Sequence, residues 1–281
     1  MKTQSTLTVL LLLLLFSCSP EENTSDKIIQ GNNVKTLYDF DNYGISHNLA
    51  MDHIATMPNF NTASLEDIFY FADTYTDAYL DNSCQCNDWQ THETQMDMIE
   101  QLQENMNSAS SILVNMNVIT PQEVPLTDML FTIFDNAVSL QNNSYKSIQE
   151  FTAEIEALEN FVFNNYTIIY DPVAKTGNYA ATILGACSIA KNSYSYWVTA
   201  TLNSAHSWNY RLTQLNPATR NGNTISPIQK GIFGDIWRGI KRAGADVGGF
   251  IVGGDCGGIL DGRDLGCAIK HAKKKSSGVR R

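Results

Sequence analysis

Six cysteines, five histidines and one serine–lysine pair are the residues of this chain whose types and spacings could do chemistry. His47 and His53 lie six residues apart. On a helix that separates them by about 120°, so they cannot share a metal in the i, i+4 manner. Hydrogen-bonded packing roles fit them better, and the polar pair His47-Asn48 inside an apolar pattern is placed to fix one helix against another. His92-Glu93-Thr94-Gln95-Met96 opens like a helical zinc site but lacks the second histidine. Cys84-Gln85-Cys86, with His92 close by, has metal-ligand types; a bond between the two cysteines themselves would close a tight, strained ring. Cys187 sits in an apolar stretch and reads as an inert buried thiol.

Ser188-Ile189-Ala190-Lys191 places a lysine one helical turn from a serine, and Lys175-Thr176-Gly177 matches a second motif of serine acylating enzymes. That chemistry needs K-T-G on a strand well after S-x-x-K. Here it comes first, so the pair carries no mechanism. No catalytic constellation, cofactor site or metal site is expected, and an enzyme ranks third among the readings below.

Residues 1–18 read MKTQSTLTVLLLLLLFSC, with one charge at Lys2 and an apolar run from Leu7 to Phe16. The run is too short for a membrane-spanning helix, which needs roughly 20 residues, and has the length of a secretory signal. Leu15-Phe16-Ser17-Cys18 resembles a bacterial lipobox; Phe16 departs from its commonest pattern. The resemblance implies cleavage before Cys18 and lipidation of that residue. Several acyl chains, at about 0.8 kcal/mol per buried CH₂, hold a protein firmly to membrane lipid. The polar, proline-marked SPEENTSDK that follows reads as a tether. Glu21 and Glu22 beside the cysteine resemble the surface-export signal of Bacteroidota lipoproteins, which implies an outer-membrane location, facing outward. Export favours disulfides over metal thiolates. Setting Cys18 aside leaves an odd number of cysteines, so at least one is free or pairs between chains.

The elements that must carry these residues read as helices. Asp41 or Asn42 can cap a helix that runs to Met57, where Pro58 stops it. Ser64 and Asp67 form a near capping box for a helix with Leu65, Ile68, Phe69, Ala72, Tyr75 and Tyr79 at helical spacing. Met96, Ile99, Leu102 and Met106 share one face of a segment from Trp89 to Met106. Thr120 can cap a helix with Pro121 at its first position, and Met129–Leu140 is expected to be helical. Ile148, Phe151, Ile155, Leu158 and Val162 form a stripe. Tyr179–Leu202, with Lys191 its one ionised residue, reads as the central buried helix of a bundle. Residues 161–170 give the best strand signal, or a helix end. The fold class is all-α, a helical bundle with a C-terminal glycine-rich amphipathic segment. The organisation is a signal peptide (1–17), a tether (18–32), a helical body (33–212), a linker (213–227) and a separable basic tail (228–281).

YGISHNLAMDHI (43–54), GACSIAKNSYSYW (185–197) and AGADVGG (243–249) resemble a group of uncharacterised Bacteroidota lipoproteins that pair an early "HN" helix with a glycine-rich C-terminus. The resemblance supplies no activity.

The tail changes composition sharply. It holds thirteen of the eighteen glycines, and eleven Lys/Arg against five Asp/Glu, while the rest of the chain carries eight against twenty-four. An acidic body with a basic tail points to an anionic surface as partner, or to the tail docking on its own body; nucleic acid is not expected. Ile232, Ile236, Ile240, Val247 and Ile251 share a face, with Arg238, Lys241 and Arg242 largely elsewhere. Trp237, Lys241, Arg242 and Phe250 are the candidate membrane contacts. Gly249, Gly253 and Gly257 recur four apart, as do Gly254, Gly258, Gly262 and Gly266, which makes a seam for close backbone approach. Each such glycine costs about 0.8–1 kcal/mol relative to alanine, so a membrane or a tightly packed helix must offset the seam. In one straight helix Cys256 and Cys267 would stand about 16 Å apart, against the roughly 7 Å a disulfide allows; they can bond only if the segment bends. Two functions compete: a lipid-anchored envelope protein whose tail binds a membrane or a partner, and a carrier of a bacteriocin-like, membrane-active C-terminal peptide.

Overall fold

The computed structural model describes residues 38–77, 93, 96–97, 99–102, 105–139, 142–213, 232–253 and 263–278. The fold is all-α. Its helices are α1 (Tyr38–Ala55), α2 (Leu65–Ala72), α3 (Ala109–Asn115), α4 (Val124–Asp135), α5 (Ile148–Asn165), α6 (Tyr179–Leu202), α7 (Asn209–Thr213), α8 (Ile232–Gly253) and α9 (Leu265–Gly278). Two small antiparallel sheets join them: β1 (Val138–Ser139) with β2 (Ser144–Tyr145), and β3 (Tyr170–Asp171) with β4 (Thr176–Gly177) and β5 (Arg263–Asp264).

The caps follow from side-chain chemistry. Ser64 accepts from the Asp67 N–H while Asp67 accepts from the Ser64 N–H, and Ser147 and Glu150 repeat the exchange at the start of α5. Asn178 caps α6 through the Ala181 N–H. Each such cap is worth about 1 kcal/mol, because it satisfies donors the helix leaves open. Asp41 and Asn42 are not caps: α1 begins at Tyr38 and carries both inside it. The helix expected over Met129–Leu140 is instead Val124–Asp135, started by Pro125 in its first turn and followed by β1. Residues 161–170 hold both outcomes, the last turn of α5 and the first residue of β3.

Helix α6 is the hub. It packs against α1, α5 and α8, and it is buried almost without interruption from Ala180 to Ala190. Gly44 of α1 lies beside Ser188 and Asn192 of α6, and Asp52 lies beside Tyr196, so these helices run parallel. Glu159 of α5 meets Lys191 and Phe151 stacks on Tyr194, so α5 runs antiparallel to α6. Gly239 of α8 lies against Trp197 and Phe250 against Gly185, so α8 is antiparallel to α6 as well.

The tail is therefore not separable. Helices α8 and α9 form a hairpin inside the bundle, and Ile236, Ile240, Val247, Phe250 and Ile251 join the core. Among the described residues no helix is long and apolar enough to cross a membrane. The glycines let α8 approach its neighbours on several sides. A Cβ on Gly253 would lie 2.5 Å from the His271 Cβ, one on Gly249 2.8 Å from the Lys275 Cγ, and one on Gly248 3.0 Å from Ile99 Cδ1. For Gly249 and Gly253 the close neighbour is the protein's own chain, while Gly254, Gly257, Gly258 and Gly262 of the expected seam lie outside the described residues.

Candidate functional site

Two polar clusters are built into the apolar interior. The first joins α1, α6 and α8. Asp246 is fully buried. Its Oδ2 accepts hydrogen bonds from the Ser193 hydroxyl and from Trp197 Nε1 at 2.9 Å, and lies 3.4 Å from His47 Nε2. Asn48 donates through Nδ2 to the Asn192 carbonyl at 3.0 Å, which leaves its Oδ1 to accept from His47 Nδ1 at 3.1 Å. An amide oxygen only accepts, so His47 Nδ1 is the donor of that bond. Both donors to Oδ2 come from α6, while the His47 ring of α1 approaches it without a hydrogen bond and Oδ1 accepts none.

Serine, histidine and aspartate meet here, yet not in the order that activates a nucleophile. Ser193 donates to the carboxylate rather than to His47, so the imidazole cannot take its proton. All three side chains are sealed from solvent. The arrangement is a polar clamp that fixes how α1, α6 and α8 stack, and His47-Asn48 fixes interhelical packing as its polarity suggested.

Ser188 belongs to the same seam. Its hydroxyl donates to the Asp41 carbonyl and accepts from the Gly44 N–H, both at 3.0 Å. Lys191 is engaged elsewhere, 2.8 Å from Glu159 Oε2 and 3.5 Å from Asp41 Oδ1. Burial pushes the Glu159 carboxyl up, with the Lys191 hydrogen bond opposing. Burial works to lower Lys191, but the hydrogen bond and charge of Glu159 outweigh it and hold the ammonium above its ordinary range. The S-x-x-K residues thus hold α1, α5 and α6 together. Cys187 between them is a free, buried thiol, pushed well up by desolvation, as an inert core cysteine should be.

The second cluster is cationic. Lys270, His271, Lys274 and Lys275 of α9 are all buried. Lys274 Nζ binds Asp73 at 2.9 Å and sits 4.0 Å above the Phe69 ring, while Lys270 Nζ lies 3.7 Å from the same carboxylate. Here the basic tail docks on the acidic body. Burial lowers Lys274, and Asp73 opposes that shift. His271 is held down to about 3, first by burial and then by Lys275, Lys274 and Lys270.

That shift has a pH consequence. Below about pH 6.5 the unfolded chain protonates His271, whereas the native chain does not until about pH 3. The unfolded state then binds more protons, so stability falls as pH drops through that window, by up to about 1.4 kcal/mol per pH unit from this group. Denaturant unfolding between pH 7 and pH 3.5 should show the slope, and His271→Gln should flatten it.

The sequence-derived contacts divide. Phe250 is fully buried, its ring against Gly185 and edge-on to Tyr43 at 5.7 Å. Arg242 is buried too, its guanidinium 5.3 Å above Trp197. Neither can reach a membrane, because α8 turns them inward. Trp237 and Lys241 stay half-buried, the Lys241 ammonium 3.8 Å from the Trp237 ring centre. Cys267 is disulfide-bonded. Cys256 lies outside the described residues, as do Cys18, Cys84, Cys86 and His92. Cys267 does not lie on a straight continuation of α8, because α9 packs antiparallel to it, His271 against Gly253 and Lys275 against Gly249. No group of His, Cys, Asp and Glu suited to a metal occurs among the described residues. No protein-family model, curated protein or solved structure matches the chain.

Asp246 was not singled out by sequence reading. Its one signal was an acidic residue in the apolar AGADVGG stretch, on the face that α8 shows to α6.

Proposed function

We propose that this is a lipid-anchored helical protein of the cell envelope, held to the outer membrane through Cys18 and exposed on the outer face. Its glycine-rich tail is retained as the inner hairpin of the bundle. The observation that carries this reading is the burial of α8 against α6, with Asp246 as acceptor for Ser193 and Trp197. It favours a retained tail over a carrier that releases a membrane-active peptide. Removing 228–281 would strip the hub helix of a core neighbour and leave the Trp197 N–H without its carboxylate, a loss of about 1–3 kcal/mol for that donor alone. The anchor reading rests on Leu15-Phe16-Ser17-Cys18 and the acidic Glu21-Glu22 that follows.

Fractionation of cells making the native chain and Cys18→Ala tests the anchor. The native protein is expected in the membrane fraction, with its mature N-terminus at an acylated Cys18 and its tail intact through Arg281. Cys18→Ala should move to the soluble fraction. A native chain found soluble, with residues 1–17 attached, contradicts the anchor. A native chain that ends near residue 227 favours the carrier.

A further inference from the structure

One end of the bundle, where α1 begins, exposes several large apolar side chains. The start of α1 is tied to the β3–β4 hairpin: the Phe40 and Tyr170 rings lie 4.8 Å apart, and the Tyr43 and Tyr170 hydroxyls 2.7 Å apart. Because Tyr170 faces inward, its neighbours on the hairpin face outward. Ile169 is 52% exposed, Val173 at the turn 84%, and Tyr166 at the end of α5 40%. Phe161 extends the patch, its ring 6.0 Å from that of Tyr166. The turn is held open to solvent by Asp171, whose Oδ1 accepts from the Val173 and Ala174 N–H groups at 2.8 and 3.0 Å.

The opposite end is different in position. Trp237 and Lys241 sit at the start of α8, where Gly239 packs on Trp197 and Thr201 near the far end of α6. At 1.5 Å per residue, that level is about 30 Å along α6 from the hairpin end. Tyr38 follows Cys18 by twenty residues. A flexible tether of twenty residues would have an end-to-end distance of about 25 Å, less than the length of α6, and on the anchored reading it would favour the hairpin end over Trp237 as the end that meets the bilayer.

We propose that the hairpin end, through Tyr166, Ile169 and Val173, seats in the interfacial layer of the membrane that holds the Cys18 anchor. This rests on the anchored reading. A branched apolar pair at a turn, with a tyrosine beside it, matches the mixed polarity of that layer. Tethering makes the contact intramolecular, so few buried side chains suffice. The bundle then stands on its hairpin end, with α7 and the start of α8 pointing away from the lipid.

The test uses the full-length, lipidated chain reconstituted in phospholipid vesicles with brominated acyl chains, as Val173→Trp and, at the opposite end, Leu202→Trp. Both sites are exposed, Leu202 at 47%, so neither substitution touches the core. Relative to the native chain, Val173→Trp should add a blue-shifted, bromine-quenched emission, and Leu202→Trp an unquenched one. Equal quenching at both sites, quenching at Leu202→Trp alone, or none at Val173→Trp in a chain that floats with the vesicles overturns the seating and leaves the anchor standing. An unmodified Cys18 in the mature chain, read by mass spectrometry, overturns both.

Discussion

Gly44→Ala is expected to destabilise the protein by about 2–3 kcal/mol, although alanine favours an isolated helix by about 1 kcal/mol over glycine. A Cβ at Gly44 would lie 2.3 Å from the Ser188 carbonyl oxygen and 2.3 Å from Asn192 Nδ2. Asn192 can swing, but the carbonyl is helix backbone and cannot. The two helices would have to part. That would stretch the bonds from Ser188 to the Gly44 N–H and from Asn48 to the Asn192 carbonyl together. Urea unfolding of the native chain and the variant measures the loss. An unchanged or raised midpoint would mean that α1 and α6 are not this close.

Asp246→Ala should cost more, about 3–5 kcal/mol, because it leaves two buried donors without their acceptor at about 1–3 kcal/mol each. The loss has several sources. Ser193 and Trp197 Nε1 lose their acceptor, His47 loses the carboxylate beside it, and all four side chains are sealed from solvent. Asp246→Asn keeps the shape and one acceptor oxygen, so its loss should be smaller. A double-mutant cycle between Asp246→Ala and His47→Ala isolates the pair and should give a coupling of about 1–3 kcal/mol. Additive effects would mean the two side chains do not meet.

Both substitutions fall in stretches that local sequence reads well in one respect and poorly in another. The capping box at Ser64 and Asp67, the stripe from Ile148 to Val162 and the all-apolar α6 are local patterns, and local sequence suffices for them. The equivalent box at Ser147 and Glu150 carried the same signal, one serine three residues before a glutamate, and went unread. The "HN" pair was legible as packing because polarity inside an apolar face is itself a signal. What it packs against was not: Asp246 is 199 residues from His47 in sequence. No periodicity links residues that far apart.

The tail shows the same division. Its composition states that α8 needs a close neighbour, since glycine leaves a helix without side chains to hold it. A membrane and a protein helix satisfy that need equally well on paper. The deciding features are long-range: Phe250 filling the notch at Gly185, Ala268 and His271 closing on Gly253, and Lys274 reaching back to Asp73. Of the four candidate membrane contacts, Arg242 and Phe250 are buried and Trp237 and Lys241 half-buried. Arg242 finds a second aromatic surface in Trp197, and Phe250 faces a second helix. A helix packed on several sides has no single polar face, so a one-face reading misplaces part of it.

Helix α8 is a core element of the folded protein. Amide hydrogen exchange of the intact native chain tests it most directly, followed residue by residue over Ile232–Gly253 and Tyr179–Leu202. Opening of a core element tracks global unfolding, so the amides of Gly239–Val252 should exchange as slowly as those of Ala186–Val198. Exchange across Gly239–Val252 at the rate of an unstructured peptide, with α6 still protected, would mean that α8 is not part of the core.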